Sequence, residues 1–132
     1  MPTQGTLYLV PNLLGVAAPT DVLPARTIAI ARRLGIVTDA DAPVLTGTML
    51  AAMDEELRKE KPEWIVVQGD TTTAAMASIA GFYAGVKVAH NEAGLRSYDL
   101  KNPFPEEANR LWISSVADLH LAPTQRALEA LR

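Results

Sequence analysis

The sequence contains no cysteine and only two histidines, and these absences exclude several kinds of site. Without thiols the chain cannot form disulfides, a thiolate nucleophile or a thiolate metal site. His90 and His120 stand far apart in the sequence, which disfavours a histidine-based zinc site. A thiol-free chain suits a reducing compartment, so we predict a cytoplasmic protein without a bound metal.

Basic residues are too few and too scattered to indicate a nucleic-acid partner. Twelve Lys and Arg residues stand against 15 Asp and Glu, which gives a formal net charge of -3. Proline, glycine or charged residues break the apolar runs well before the ~20 residues of a membrane span. The N-terminus also lacks the basic start and clean apolar stretch of a signal peptide. We therefore expect neither nucleic acid nor a membrane as a partner, while the composition leaves the oligomeric state open.

Apolar residues are abundant enough to build one core. The chain has 132 residues, 48% of them hydrophobic, which suits a single domain over residues 1–132. Apolar runs alternate with amphipathic stretches, and proline and glycine mark the boundaries. Residues 36–44 are predicted as a loop, with a short fifth strand at 36–38 as the alternative. The predicted strands are 6–10, 64–68, 86–90 and 119–122, and the predicted helices are 24–35, 46–61, 72–83, 105–116 and one capped by Thr124.

Alternating strands and helices predict a three-layer α/β/α fold of the Rossmann-like or flavodoxin-like kind, with a parallel sheet of four to five strands. In such sheets ligands bind beyond the carboxyl ends of the strands. The first of these ends runs into Gly69, Asp70 and Thr71, where free N–H groups of the next helix could meet a phosphate. The alternative is that Asp70 or Thr71 only caps that helix.

Two further clusters of polar residues follow predicted strands. His90, Glu92 and Arg96 surround the end of the third strand, where the acid and the arginine could bind and deprotonate a sugar or merely form a surface ion pair. His90 could equally be a buried core histidine. Glu106 and Glu107 open a helix, which the helix dipole favours by itself, and Arg110 is placed to pair with them.

These clusters all fall at strand ends or in the loops that follow, so we expect them to converge on one rim of the sheet. Neighbouring carboxylates can raise the pKa of one member and leave a general acid beside a general base. That arrangement suits proton transfer at a carbon atom.

Three segments, 67–73, 90–96 and 105–110, resemble the non-hydrolysing UDP-N-acetylglucosamine 2-epimerases in residues, order and spacing. The similarity runs over about residues 44–132. It implies one Rossmann-like half of a two-domain enzyme that removes the C2 proton of the sugar, eliminates UDP and adds it back to give the inverted epimer, with no redox cofactor.

The resemblance implies roles for five residues. Asp70, Glu92 and Glu106 match the catalytic acids of the family, and Arg96 and Arg110 match positions near its substrate. Thr71 and His90, at the same strand ends, are also predicted to bind the UDP-sugar.

Several features depart from the family pattern. Asn91 stands where a small apolar residue is expected, and Trp112 is also unusual. Residues 11–15 occupy the place of a Gly-Thr-Arg-Pro-Glu loop, so the arginine that faces phosphate is missing. The second domain and its catalytic histidine have no counterpart within the sequence. We therefore predict no turnover by this chain alone, with a half-enzyme completed by a second domain, or a weak nucleotide-sugar binding module, as alternatives.

The front of the chain resembles a different family. Residues 5–15 and 23–31 are similar to the start of S-adenosylmethionine-dependent methyltransferases of the tetrapyrrole-methylase type, over about residues 4–35. The other methyltransferase segments are missing, so methyl transfer is not expected. The pattern predicts an engineered or recombined chimera, with a methyltransferase-like strand and helix at 1–35, a junction at 36–44 and an epimerase-like part at 45–132.

Overall fold

The computed structural model describes residues 7–10 and 42–132. The predicted helix 24–35 and the residues 36–41 lie outside this part of the chain. None of the helices within the described ranges combines the length and the apolar character that crossing a membrane requires. In chain order the elements are β1 (Leu7–Val10), α1 (Ala42–Glu60), β2 (Trp64–Gln68), α2 (Thr72–Ala84), β3 (Lys87–Asn91), α3 (Glu106–Val116), β4 (Leu119–Leu121) and α4 (Gln125–Ala130).

The four strands of the described residues form one parallel sheet in the order β1-β2-β3-β4. Leu7 pairs with Trp64 and Val10 with Val67, so the opening strand lies beside β2 as the sequence predicts. Each pair of consecutive strands is joined by a helical connection, as parallel strands require. The predicted fold class, a parallel sheet flanked by helices in an α/β layered fold, is confirmed.

Small side chains let α2 approach the sheet closely. Ala75 and Ala77 are fully buried, and so are Ile65 and Val67 on the strand beneath them. A Cβ added to Gly81 would lie 2.6 Å from Cδ1 of Ile65, so only glycine fits there without a shift. This packing fixes the carboxyl ends of β2 and β3, where the candidate site residues follow.

Local signals set both ends of α2. Thr71 is the N-cap, and its hydroxyl accepts a hydrogen bond from the Ala74 N–H at 3.3 Å. Gly85 ends the helix in the left-handed region at φ 70°. Thr71 therefore caps α2, which was the alternative to a phosphate-binding role.

Several predicted boundaries differ from the structure, and the shifts of α1 and β3 have clear physical reasons. Helix α1 begins at Ala42 rather than at residue 46, because Pro43 suits the first turn of a helix and does not prolong the loop. Strand β3 begins at Lys87 and ends at Asn91, one residue later than predicted. The reason is that the Val86 N–H donates to the Gly81 carbonyl at 2.9 Å and so closes α2 instead of joining the sheet.

Candidate active site

The predicted site residues follow the carboxyl ends of neighbouring parallel strands. Asp70 comes two residues after β2, Glu92 directly follows β3, and Glu106 is the first residue of α3. Because the strands run parallel, these ends lie on the same edge of the sheet.

Among the described residues of this edge, Glu107 accepts the largest number of hydrogen bonds. Its carboxylate is fully buried and accepts from Arg96 Nε at 2.7 Å and from Arg110 Nη1 at 2.9 Å. The backbone N–H groups of Ser97 and Tyr98 donate to it at 3.0 and 3.1 Å. A buried carboxylate needs this many donors to offset its lost hydration. Glu107 therefore ties the loop that carries Arg96 to helix α3.

Arg110 extends the same set of contacts to the end of β2. Its Nη2 lies 2.6 Å from Oδ2 of Asp70, and its Nε lies 2.8 Å from the same oxygen. The Asn109 amide donates to the Asp70 carbonyl at 2.8 Å. The side chains of Asp70, Arg110, Glu107 and Arg96 thus form a continuous chain of ion pairs, here called the rim network.

The rim network corrects two pairings expected from the sequence. Arg96 was expected near Glu92, but it pairs with Glu107, because the loop folds back over the start of α3. Of the two acids that open α3, only Glu107 pairs with Arg110, and Oε2 of Glu106 is buried without a hydrogen-bond partner. The spacing placed both acids within reach of Arg110, and the structure pairs Arg110 with Glu107, which stands three residues before it.

Glu92 lies apart from the rim network and takes its hydrogen bond from β2. It adopts a left-handed backbone at φ 69°, and its Oε2 accepts from Gln68 Nε2 at 2.7 Å. Asn91 in turn donates to Gln68 Oε1. The Glu92 side chain remains exposed, so it stays accessible to a ligand above the sheet.

His90 is a buried histidine at the same edge, with only 1% of its surface exposed. Its Nε2 lies 2.8 Å from the Gly69 carbonyl oxygen. Burial lowers the pKa of His90 below its ordinary value, although the Gly69 carbonyl and the nearby Asp70 and Glu92 carboxylates act in the opposite direction. His90 is therefore neutral at pH 7 and anchors the turn before Asp70. Its position is therefore that of a buried core histidine, the alternative given in the sequence analysis.

An open cleft of about 370 Å³ lies beside the rim network. Arg96, Arg110 and Arg126 line it, together with Tyr98 and Thr124. Of the predicted substrate-binding residues, Arg96 and Arg110 reach this cleft, whereas Thr71 and His90 serve the turn after β2. Among the described residues, no three His, Asp or Glu side chains gather closely enough to hold a metal ion.

The hydrogen bonds and ion pairs of Glu107 predict that the folded state loses stability at acidic pH. Burial would raise its pKa, but the donors from Ser97, Arg96, Arg110 and Tyr98 outweigh burial and lower the pKa from 4.5 to about 2. A carboxyl whose pKa is lower in the folded state stabilises the fold above pH 4.5, and the contribution is lost as the pH falls towards 2.

Urea unfolding between pH 6 and pH 2 checks this expectation. The difference in unfolding free energy between the wild type and Glu107→Gln should shrink steadily below about pH 4.5. A difference that stays constant over that range would show that Glu107 does not titrate with folding.

Comparison with known proteins shows which family this chain resembles. The profile of the family described as UDP-N-acetylglucosamine 2-epimerase matches residues 26–132. The UDP-N-acetylglucosamine 2-epimerase of Campylobacter jejuni is 46% identical over 87 residues, which are 66% of this chain and 23% of that protein. The enzyme of the same description from Bacillus subtilis strain 168 is 45% identical over 87 residues, again 66% of this chain and 23% of its own.

Solved structures agree with the sequence matches. The crystal structure of UDP-GlcNAc 2-epimerase from Neisseria meningitidis bound to UDP-GlcNAc has a TM-score of 0.69 and 38% identity, and the match covers 73% of this chain and 26% of that one. The Methanocaldococcus jannaschii enzyme in complex with UDP-GlcNAc and UDP has a TM-score of 0.67 and 39% identity, with 74% and 26% covered. The chain thus spans about a quarter of the length of these relatives.

The family match begins before the boundary predicted near residue 44. It begins at residue 26 and so includes part of the segment, about 4–35, that resembles a methyltransferase. The comparisons give no support to that second resemblance. Because the match takes in most of the sequence, the chain belongs to the UDP-N-acetylglucosamine 2-epimerase family.

Proposed function

We propose that this chain supplies the acid-bearing wall of a site that epimerises UDP-N-acetylglucosamine at C2. The observation that carries the proposal is the placement of two carboxylates, Asp70 and Glu92, just beyond the ends of adjacent parallel strands and near the buried His90. The names of the relatives and the ligands in two of the solved structures support the choice of substrate.

The environments of the acids differ in a way that suits proton transfer. Asp70 forms an ion pair with the Arg110 guanidinium, and it is only partly exposed. Glu92 is exposed and receives one amide donor, so its other oxygen is available to the sugar. Glu106 differs again, because its Oε2 is buried and has no hydrogen-bond partner. Groups in unlike environments can act as acid and base at the same pH.

In the proposed reaction, a carboxylate of this wall accepts the C2 proton while the bond between C1 and the UDP oxygen breaks. UDP then adds back to C1, and a proton returns to the opposite face of C2, so atoms and charge balance without a redox cofactor. Glu92 is proposed as the group in contact with the C2 proton. Arg96 and Arg110 are proposed to lie near the diphosphate, because both line the cleft.

Binding without turnover by residues 1–132 is part of the proposal. Catalysis of this kind needs reacting groups held on both sides of a closed site, and a displacement of about 1 Å can cost on the order of a hundredfold in rate. The described residues supply one side. A recombined or engineered origin, with a methyltransferase-like opening over about residues 4–35, and a cytoplasmic location are retained as proposals from the sequence.

Exchange of the C2 proton in D2O tests the catalytic part. UDP-N-acetylglucosamine is incubated with the chain alone and with a separately produced C-terminal half of a relative, and deuterium at C2 is followed by mass spectrometry. We expect exchange only in the mixture, and a loss of about a hundredfold in Glu92→Gln. Glu129→Gln, at an exposed acid of α4, serves as the matched control. Equal exchange by both variants would refute the role of Glu92.

A titration with UDP tests binding by itself. The amides of residues 69–73 are expected to shift in NMR spectra, because they lead from the end of β2 into the first turn of α2. If these resonances do not move, the binding proposal is wrong for this chain alone.

A further inference from the structure

Three side chains at the ends of β2 and β3 are linked by hydrogen bonds, and each donates to the next in the same direction. Asn91 Nδ2 donates to Gln68 Oε1, and Gln68 Nε2 donates to Glu92 Oε2 at 2.7 Å. Gln68 and Asn91 are register partners in adjacent parallel strands, so their side chains leave the same face of the sheet. Asn91, Gln68 and Glu92 are called the amide relay below.

The backbone of Glu92 is bent to join the amide relay. Side chains alternate along a strand, so a regular extension of β3 would send Glu92 to the face opposite Asn91. The left-handed conformation at φ 69° interrupts this alternation. Such a conformation costs a non-glycine residue of order 1 kcal/mol and persists where the surroundings enforce it. The hydrogen bond to Gln68 is one contact that stabilises this left-handed conformation.

The polarity of the amide relay fixes what residue 91 must be. An ionised carboxylate only accepts hydrogen bonds, so Gln68 must present its NH2 group to Glu92. Its carbonyl oxygen then faces residue 91, which has to be a donor. Asn91 meets this requirement, whereas the small apolar residue that the sequence resemblance leads one to expect there has no donor to offer.

We propose that Asn91 is a positioning residue, which fixes the amide orientation of Gln68 and through it the carboxylate of Glu92. The role of the amide relay in catalysis rests on the function proposed above for Glu92. The relay itself is a property of this chain and can be tested without turnover.

NMR of the chain tests the relay directly. In the wild type, the Gln68 side-chain NH2 should show contacts to the Glu92 side chain in nuclear Overhauser spectra. In Asn91→Val this amide loses its orientation, and its hydrogen exchange should speed up about fivefold. The exposed position of residue 91 in a strand tolerates valine, so the fold should persist. Gln125, which donates to Glu129, is the internal control in the same spectrum.

Asn91→Asp separates orientation from mere contact. Its carboxylate accepts but cannot donate, so the Gln68 NH2 group meets two competing acceptors and its contacts to Glu92 should weaken. In either orientation the Gln68 oxygen then faces a carboxylate, which repels it. Unchanged Gln68 contacts and exchange rates in both Asn91 variants would overturn the proposal.

The C2 exchange assay with the added C-terminal half tests the catalytic consequence. Asn91→Val should lower kcat about tenfold and leave KM within about twofold, because the substrate still binds while Glu92 is misplaced. NMR changes without a fall in kcat would refute the positioning role. If the wild-type mixture shows no exchange, the proposed function fails, while the NMR result still decides whether the amide relay exists.

Discussion

Replacing Glu107 with alanine is expected to lower the free energy of unfolding by about 3 to 5 kcal/mol. The side chain is fully buried and carries four hydrogen bonds, two of them from arginines. Alanine would leave Arg96 without its carboxylate partner and the backbone N–H groups of Ser97 and Tyr98 without an acceptor. A loss of this size is a large share of the 5 to 15 kcal/mol typical of a small domain.

Urea unfolding followed by tryptophan fluorescence measures this effect, since Trp64 and Trp112 report on the sheet and on α3. Glu106→Ala is the matched control, because it removes the neighbouring acid from the same helical turn. Losing its favourable position in the helix dipole should cost about 0.3 to 1 kcal/mol. If both variants lost the same stability, the buried network of Glu107 would contribute nothing beyond the favourable position of an acid in the helix dipole.

Glu107→Ala should also change the rim locally. Its carboxylate holds the loop over α3, so amide exchange at Ser97 and Tyr98 should speed up far more than at residues of β2. Arg110 keeps its ion pair with Asp70, so the Asp70 turn should be affected less than the loop. This contrast distinguishes loss of the loop anchor from general destabilisation.

The strands of the sheet were predictable because their signal is local. Residues 64–68 form an apolar run bounded by polar residues and glycine, and β2 occupies that range. The opening run at 6–10 likewise corresponds to β1, which pairs beside β2. The capping role of Thr124 at the start of α4 was also readable from the sequence.

The roles of the acids were harder to predict, because they depend on how a loop folds over a helix. Glu106 and Glu107 are neighbours in the first turn of α3, and nothing local tells which one turns inward. The structure buries Glu107 because the loop places Arg96 above it. Asn91 was recognised only as a departure from a pattern. Its partner Gln68 lies 23 residues away in the chain, and the register of β2 and β3 brings the two together.

Gly94 marks the point where the loop after β3 comes closest to α4. Its φ is 84°, and a Cβ added to it would lie 2.1 Å from the carbonyl oxygen of Ala127. Ala127 is itself buried, so its backbone cannot move aside freely. Both the conformation and the space at this position therefore demand glycine.

Gly94→Ala is consequently expected to cost about 3 kcal/mol or more, from overpacking together with the penalty of a left-handed backbone. Gly85→Ala is the matched control, since Gly85 has φ 70° but no atom within 4 Å of an added Cβ. That variant should lose only about 1 kcal/mol. Urea unfolding of the two variants separates conformation from contact. Equal losses of unfolding free energy would mean that α4 shifts to make room for the added Cβ without destabilising the fold. The contact with Ala127 would then not hold the loop that carries Arg96.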